Sequence, residues 1–510
     1  MTPAAEPHAA LAAEPRMTPA EMRRAFFLTF PGVAPAIILS AIDQTIVATA
    51  LPAIAGSLGA VEHLSWVVVA YLIAATIAAP VFGRLGDVFG RRRLLLVALG
   101  LAGLGAAISA AAPSFGVLIL GRLLQGFAGG GLATLAMALI GEAVPPRERG
   151  RFQAYIVASF TTASCLGPIT GGFMTEHFSW RAVFWVLLPW IALAVPLALR
   201  IPARPEGLSH ARQAGFRFDL PGVLLFAGFV APALMALSQV QKLQLSALPA
   251  AAGLALVAGL ALVQLLRQER RVRDPLLPLP LLAEPTVLRS NLMTACAHGA
   301  LIALLTFLPI YLQSVRGASA VQAGVLLLPL SLGGAIGGLS SGWLMTRTGI
   351  GMPFATFGLA LAAAALAAIA LLAGGLSDWG VAGLFGVVAV GFGCSYPVVQ
   401  ITVQVAGGPG RLGAAAASVQ FSRTLGAAVA TAVLGALLFG TLAAGDATVA
   451  AHFAQLVQSG PGLLPTLPAE AQAALRGGLG EAFRAAFLGA AAMAAAGSWL
   501  ASRVPLQRIF

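Results

Sequence analysis

Apolar runs of about 20 residues recur from one end of the sequence to the other. At 1.5 Å of rise per residue, each is long enough to cross a hydrocarbon core of roughly 30 Å as a helix. Lipid must be the solvent for most of such a chain. Of 510 residues, 59% are hydrophobic and 9% charged, against roughly a quarter charged in soluble domains, and no segment reads as a separate soluble domain. Residues 1–25 contain Glu6, Glu14, Glu21 and several prolines and lack an apolar stretch with a small-residue cleavage site, so they read as a cytoplasmic tail, not a signal peptide. The net charge of +12 would suggest nucleic acid in a soluble protein; here basic residues orient helices, and no nucleic-acid partner is expected. Cys165, Cys296 and Cys394 fall inside expected spans, where a thiol behaves as a small apolar side chain, and imply no disulfide framework or metal site.

Spans are expected near 26–50, 65–83, 94–112, 115–141, 152–174, 180–200, 220–240, 248–266, 287–312, 320–346, 353–373, 380–405, 413–440 and 483–502, which makes an all-α polytopic protein of fourteen helices. With a cytoplasmic amino terminus, 23 of the 30 basic residues lie on the cytoplasmic side and Arg181, Lys242, Arg316, Arg476 and Arg484 outside. That bias fixes the orientation and places both termini in the cytoplasm. Polar, proline-containing stretches bracket helices 7 and 8, so the chain divides into a tail at 1–25, six helices in 26–200, a linker with two helices in 201–285, six helices in 286–502 with an external loop at 441–482, and a tail at 503–510.

Between helices 2 and 3 stands Gly83-Arg84-Leu85-Gly86-Asp87-Val88-Phe89-Gly90-Arg91-Arg92-Arg93, which resembles the cytoplasmic signature of the major facilitator superfamily. Its glycines permit a tight turn and close helix approach, and its acid and arginines can make contacts specific to one conformation. Val88 stands where the signature has a basic residue, which removes one expected ion pair. Gly342-Trp343-Leu344-Met345-Thr346-Arg347-Thr348-Gly349 looks like a degraded second copy in the other half, with Thr346 in place of the acid. Helix 5 carries Gly167-Pro168-Ile169-Thr170-Gly171-Gly172, a close match to the superfamily's antiporter motif with Ala163 in place of its leading glycine; small residues let a neighbour approach and Pro168 removes a backbone hydrogen bond. Asp43-Gln44-Thr45 in helix 1, Arg122-Leu123-Leu124-Gln125-Gly126 in helix 4, Pro145 to Arg151, Phe178-Ser179-Trp180-Arg181 and Ser418 to Gly426 resemble the fourteen-span drug:proton antiporters, the EmrB/QacA group. The resemblance implies two six-helix bundles of the major facilitator fold with two extra central helices, in a bacterial cytoplasmic (inner) membrane.

Asp43 is the only acid well inside an apolar span, at an insertion cost of roughly 2.5–3.5 kcal/mol near the bilayer centre. It lies about 13 Å below the external end of helix 1, and Arg122 about 10 Å deep in helix 4, by the helical rise, so the two can share one level. The resemblance places helices 1 and 4 at the central cavity. A structural ion pair and a proton-coupling site are both compatible with this; in the second, protonation of Asp43 switches with water access and substrate occupancy. Gln125, His298 and Gln420 are candidate substrate contacts, internal hydrogen bonding being the other reading of His298. The run Gly129-Gly130-Gly131 lies inside an apolar span and reads as helix packing.

The only lysine, Lys242, stands in Gln-Lys-Leu, not in a P-loop, so no ATP-driven pump is encoded. One charge moving through about 100 mV supplies roughly 2.3 kcal/mol, enough for a gradient of about fiftyfold. The expected function is proton-coupled export of a small amphipathic or cationic substrate by alternating access, with protons and membrane lipid as partners, no cofactor and no enzyme activity. A dedicated exporter of an endogenous lipid, peptide or secondary metabolite and a non-transporting receptor or scaffold are the alternatives. A periplasmic adaptor stays open, since no docking surface identifies one.

Overall fold

The computed structural model describes residues 18–58, 66–202, 216–241, 247–445 and 469–508. The expected amino-terminal tail, the linker, Lys242 and the 441–482 loop lie wholly or partly outside them. The described residues are helical throughout, with one isolated antiparallel bridge between Ile350 and Arg508. The first six long helices are α1 (Pro19–Leu58), α2 (Trp66–Phe89), α3 (Arg91–Ala110), α4 (Phe115–Ala143), α5 (Pro146–His177) and α6 (Ala182–Leu199, interrupted after Trp185). A hairpin of α7 (Leu220–Gln241) and α8 (Leu248–Glu269) follows. The last six are α9 (Pro285–Ser314), α10 (Gln322–Thr348, interrupted after Leu326), α11 (Met352–Leu372), α12 (Asp378–Gly407), α13 (Leu412–Gly445) and α14 (Ala469–Ser502).

Among the described residues, 13 of these helices are long and apolar enough to cross a membrane. The fourteenth, α5, runs for 32 residues but opens on Arg147, Glu148, Arg149 and Arg151 and continues with serines, threonines and glycines. It packs between α1 of the first six helices and α10 of the last six. Protein neighbours on two sides relieve it of an all-round apolar surface.

Local chemistry sets several helix ends. Thr18 Oγ1 accepts from the Glu21 amide at 3.2 Å while a Glu21 carboxylate oxygen accepts from the Thr18 amide at 2.7 Å, a capping box with Pro19 at the first helical position. Helix α1 therefore begins inside the stretch expected to be a tail. Glu284 accepts from the Val287 amide at 2.8 Å to start α9. Helix α14 begins at Ala469, within the stretch expected to be an external loop, because Ala469 to Leu475 is rich in strong helix formers. The carboxy-terminal tail is also tied down: the Gly351 amide donates to the Gln507 carbonyl at 3.2 Å, and Arg289 donates to the Arg503 carbonyl.

Each set of six helices buries its own apolar cluster, one spanning Phe26 to Ile201 and the other Leu281 to Val504. A smaller cluster of Ile73, Val81, Phe226, Val230, Leu234, Leu265 and Leu276 fastens the α7–α8 hairpin to α2. The hairpin's other face carries exposed Leu224, Leu256 and Leu260, as expected of a lipid-facing surface. Inside the first bundle, α2 and α4 touch backbone to backbone: a Cβ on Gly126 or Gly130 would run into the Tyr71 or Ala75 carbonyl. The Gly129–Gly131 run thus serves helix packing.

Candidate functional site

Asp43 on α1 and Arg122 on α4 meet in an ion pair of 2.8 Å, 4% and 1% exposed. Gln125, one turn along α4, donates to the same Asp43 oxygen at 3.0 Å and accepts from Arg122 at 3.1 Å and from the Ser109 hydroxyl of α3 at 2.9 Å. Arg122 also donates through Nε to the Val67 carbonyl at 3.2 Å and lies 4.5 Å from the centre of the Tyr71 ring. Tyr71 in turn donates to the Ser40 carbonyl. Four helices thus hold one acid and one base in a network whose charges cancel. Gln125, read from sequence as a substrate contact, is occupied within it.

The glycines of α5 adjoin this network. A Cβ on Gly167 would meet the Thr45 hydroxyl, and one on Gly171 would meet the Ile46 carbonyl and the Thr49 hydroxyl, so the α1 turns that follow Asp43 lie directly against α5. Gly172 faces open space. Pro168 lies in a helix that runs unbroken from Pro146 to His177. His298 on α9 is half-buried and makes no hydrogen bond among the described residues; Gln420 on α13 is also half-buried and accepts through its carbonyl from Thr424. Neither touches the Asp43 network.

The signature after α2 lies at the end of the bundle where most basic residues gather, and there the two halves are joined. Asp87 accepts from the amides of Gly413 at 3.0 Å and Ala414 at 3.2 Å, placing a carboxylate on the amino-terminal end of α13, where unpaired amides and the helix dipole favour negative charge. Arg91 clamps Asp87 at 2.6 Å and Glu142 of α4 at 2.5 Å. Gly83 lies against the Gly413 carbonyl and Gly86 against Leu135, contacts a larger residue would obstruct; Gly90, at φ +95°, makes the turn into α3. Arg92 donates to the Leu199 carbonyl at 2.5 Å, and Arg84 pairs with Asp274 beyond the hairpin at 3.0 Å.

A second clasp lies beside the first. Gln404 of α12 donates to the Met137 carbonyl of α4 at 3.1 Å and accepts from Arg149 of α5 at 3.3 Å, while Arg149 also donates to the carbonyls of Val144 and Gly141. Among the described residues, the hydrogen bonds between the first six and last six helices all fall at this basic end. Thr346, in the second-half copy, bonds only its own helix, to the Gly342 carbonyl. Sequence reading missed Gln404, although Tyr396, Gln400 and Gln404 form a polar stripe at four-residue spacing, a legible signal that one face of α12 is not lipid-facing.

Among the described residues, two six-helix bundles clasped at one end, one of them enclosing a charge network, with a two-helix hairpin at their side, have the architecture of a polytopic membrane transporter. The chain belongs to the Major Facilitator Superfamily, which residues 33–431 match. It is 32% identical, over 99% of its length and 73% of the relative, to an uncharacterized MFS-type transporter of Mycobacterium tuberculosis. To the multidrug transporter protein MdtP of Bacillus subtilis it is 29% identical, over 81% of the chain and 75% of the relative. The crystal structure of the human organic anion transporter MFSD10 superposes with a TM-score of 0.62 at 16% identity, covering 95% of this chain and all of that one, which speaks to fold alone.

Proposed function

We propose that the chain is a proton-coupled antiporter of the fourteen-span drug:proton group that exports small amphipathic compounds by alternating access. Its basic end faces the cytoplasm of a bacterium, by the orientation rule, and the division into six, two and six helices supplies two bundles that rock about a central cavity with the hairpin at its side. The observation that carries this reading is the buried Asp43–Arg122–Gln125 network within the apolar spans, where a proton can exchange for a charge-assisted contact.

In the state described, Asp87 of α2 holds the start of α13 and Gln404 of α12 holds α4, contacts that close the cytoplasmic end on this reading. Protonation of Asp43 removes the charge that holds Arg122 and Gln125. Helix α4 carries that change toward Met137, Gly141 and Glu142, where the clasps attach, and α1 carries it into α5 through Gly167 and Gly171. Proton entry from outside thereby loosens the cytoplasmic closure, and proton release inside accompanies reloading. The multidrug relative supports a broad amphipathic substrate range.

In energised everted vesicles, an imposed proton gradient should drive accumulation of amphipathic dyes, and a protonophore should abolish it. Accumulation that survives the protonophore and instead follows ATP would sink the reading.

A further inference from the structure

Arg423 on α13 is 6% exposed, yet its guanidinium makes no hydrogen bond and no ion pair among the described residues. Its one close neighbour of note is the Tyr396 ring of α12, whose centre lies 3.7 Å from the guanidinium carbon. Stacked this way, the flat face of the cation is covered while the N–H groups around its edge stay free. Arg423 stands about 16 Å along α13 from its start at 1.5 Å per residue, which puts it near the middle of the membrane.

The direction in which this group looks follows from α12. Gln404 reaches the Met137 carbonyl of the first bundle, so that face of α12 points across the interface between the halves. Gln400 and Tyr396 lie one and two turns earlier on the same face. The Gln400 Nε2 is buried without an acceptor, a second unused donor one helical turn from the Tyr396 ring that carries the arginine. His298 of α9 lies within electrostatic reach of Arg423, and Gln420 is one turn before it on α13. Among the described residues no acid pairs with Arg423, whereas on the other half Asp43 and Arg122 cancel. The interface therefore carries an uncompensated positive charge with unused donors around it.

We propose that Arg423 recognises an anionic head group, a carboxylate or phosphate, on the exported molecule, so that the cargo is an amphipathic anion and not a cation. This rests on the export reading above and specifies its substrate class. A planar oxyanion takes two parallel N–H donors from a guanidinium edge, and Gln400 supplies a further donor. The hydrophobic body of the cargo then lies against the apolar walls. Exchange of one outward anion for one inward proton moves two charges per cycle, so an interior-negative potential drives export directly; a cation exchanged for a proton would move none.

The test uses three dansyl compounds with one aliphatic body and a carboxylate, a neutral carboxamide or an amine at its end, titrated by fluorescence against the full-length protein in lipid vesicles. The carboxylate should bind at least about tenfold tighter than the carboxamide, as one charge-assisted bond pair implies. Arg423→Gln should erase that preference while leaving carboxamide affinity within about twofold, and Arg423→Lys, which keeps charge but not the fork, should retain part of it. Failure of the unmodified protein to prefer the carboxylate, or an intact preference in Arg423→Gln, overturns the proposal. Should Arg423→Gln not reach the membrane folded, the Lys variant decides: a preference unchanged from the unmodified protein counts against recognition by the guanidinium fork. Proton-driven uptake of the same compounds separates the two readings. Arg423-dependent binding without uptake leaves the anion site standing and removes export, whereas uptake indifferent to Arg423 does the reverse.

Discussion

Replacing Asp87 by Asn isolates the contact that ties the signature to the opposite bundle. Asp87 and Arg91 belong to the same half and stay together whichever way the transporter faces, so their 2.6 Å pair does not distinguish the two states. The bonds to the Gly413 and Ala414 amides cross between the halves, so under the proposed alternating access they break when the basic end opens. The Asn side chain keeps one acceptor oxygen, so the change removes one cap and the charge on the helix end. A hydrogen bond to a charged group contributes about 1.5–3 kcal/mol, and a charge at a helix terminus about 0.3–1 kcal/mol. The closed state should lose about 2–4 kcal/mol relative to the open one, a shift of roughly 30-fold to several hundredfold in their ratio. Spin labels on Arg93 and Arg411, both exposed on opposite sides of the closure, report that ratio by pulsed electron resonance after the native cysteines are replaced. The unmodified protein should show mainly the short distance and Asp87→Asn mainly the long one. An unchanged distance distribution would refute the assignment of the closure to this cap.

The second clasp should behave likewise but more weakly. Gln404→Leu removes two neutral-acceptor contacts across the interface, about 1 kcal/mol each, and the same labels should register a shift of roughly 30-fold, the low end of the range for Asp87→Asn. Arg122→Gln leaves Asp43 buried without its ion-pair partner and should lower stability in detergent by about 3–5 kcal/mol, whereas the double change with Asp43→Asn should recover most of it; equal loss in both would mean that the pair's charge is not what holds α1 to α4. Gly171→Val forces a side chain into the Ile46 carbonyl and Thr49 and should cost about 1–3 kcal/mol, while Gly172→Ala, with nothing within 4 Å of the new methyl, should leave the unfolding midpoint unchanged.

Much of the fold is legible in the sequence because a membrane imposes few alternatives. Hydropathy and charge bias locate the helices, and an acid within an apolar span demands a partner, which is why Asp43 and Arg122 can be paired across 79 positions from depth alone. Side-chain signals stop being sufficient where the partner is backbone. Nothing in the residue types of Gly413 and Ala414 marks their amides as the seat of Asp87, since every helix start has free amides. Gln125 illustrates the opposite case: a polar residue one turn from an arginine looks available to substrate, and in this structure it is bonded to Asp43, Arg122 and Ser109, a set of partners that residue type alone does not reveal. Both ends of the chain's irregular stretches were obscured by composition. The Thr18-Pro19-Ala20-Glu21 capping box hides in a proline-rich, polar beginning, and the strong helix formers after Ala469 follow a run of glycine and proline.

On the proposed mechanism, a proton on Asp43 exchanges for cargo. Its most direct measurement is substrate-driven pH change inside proteoliposomes, made in parallel on the unmodified protein and on Asp43→Asn. The unmodified protein should show a substrate-dependent proton flux, abolished by the substitution, with Asp43→Asn folded and inserted to the same extent. Full proton-coupled export by Asp43→Asn would contradict it.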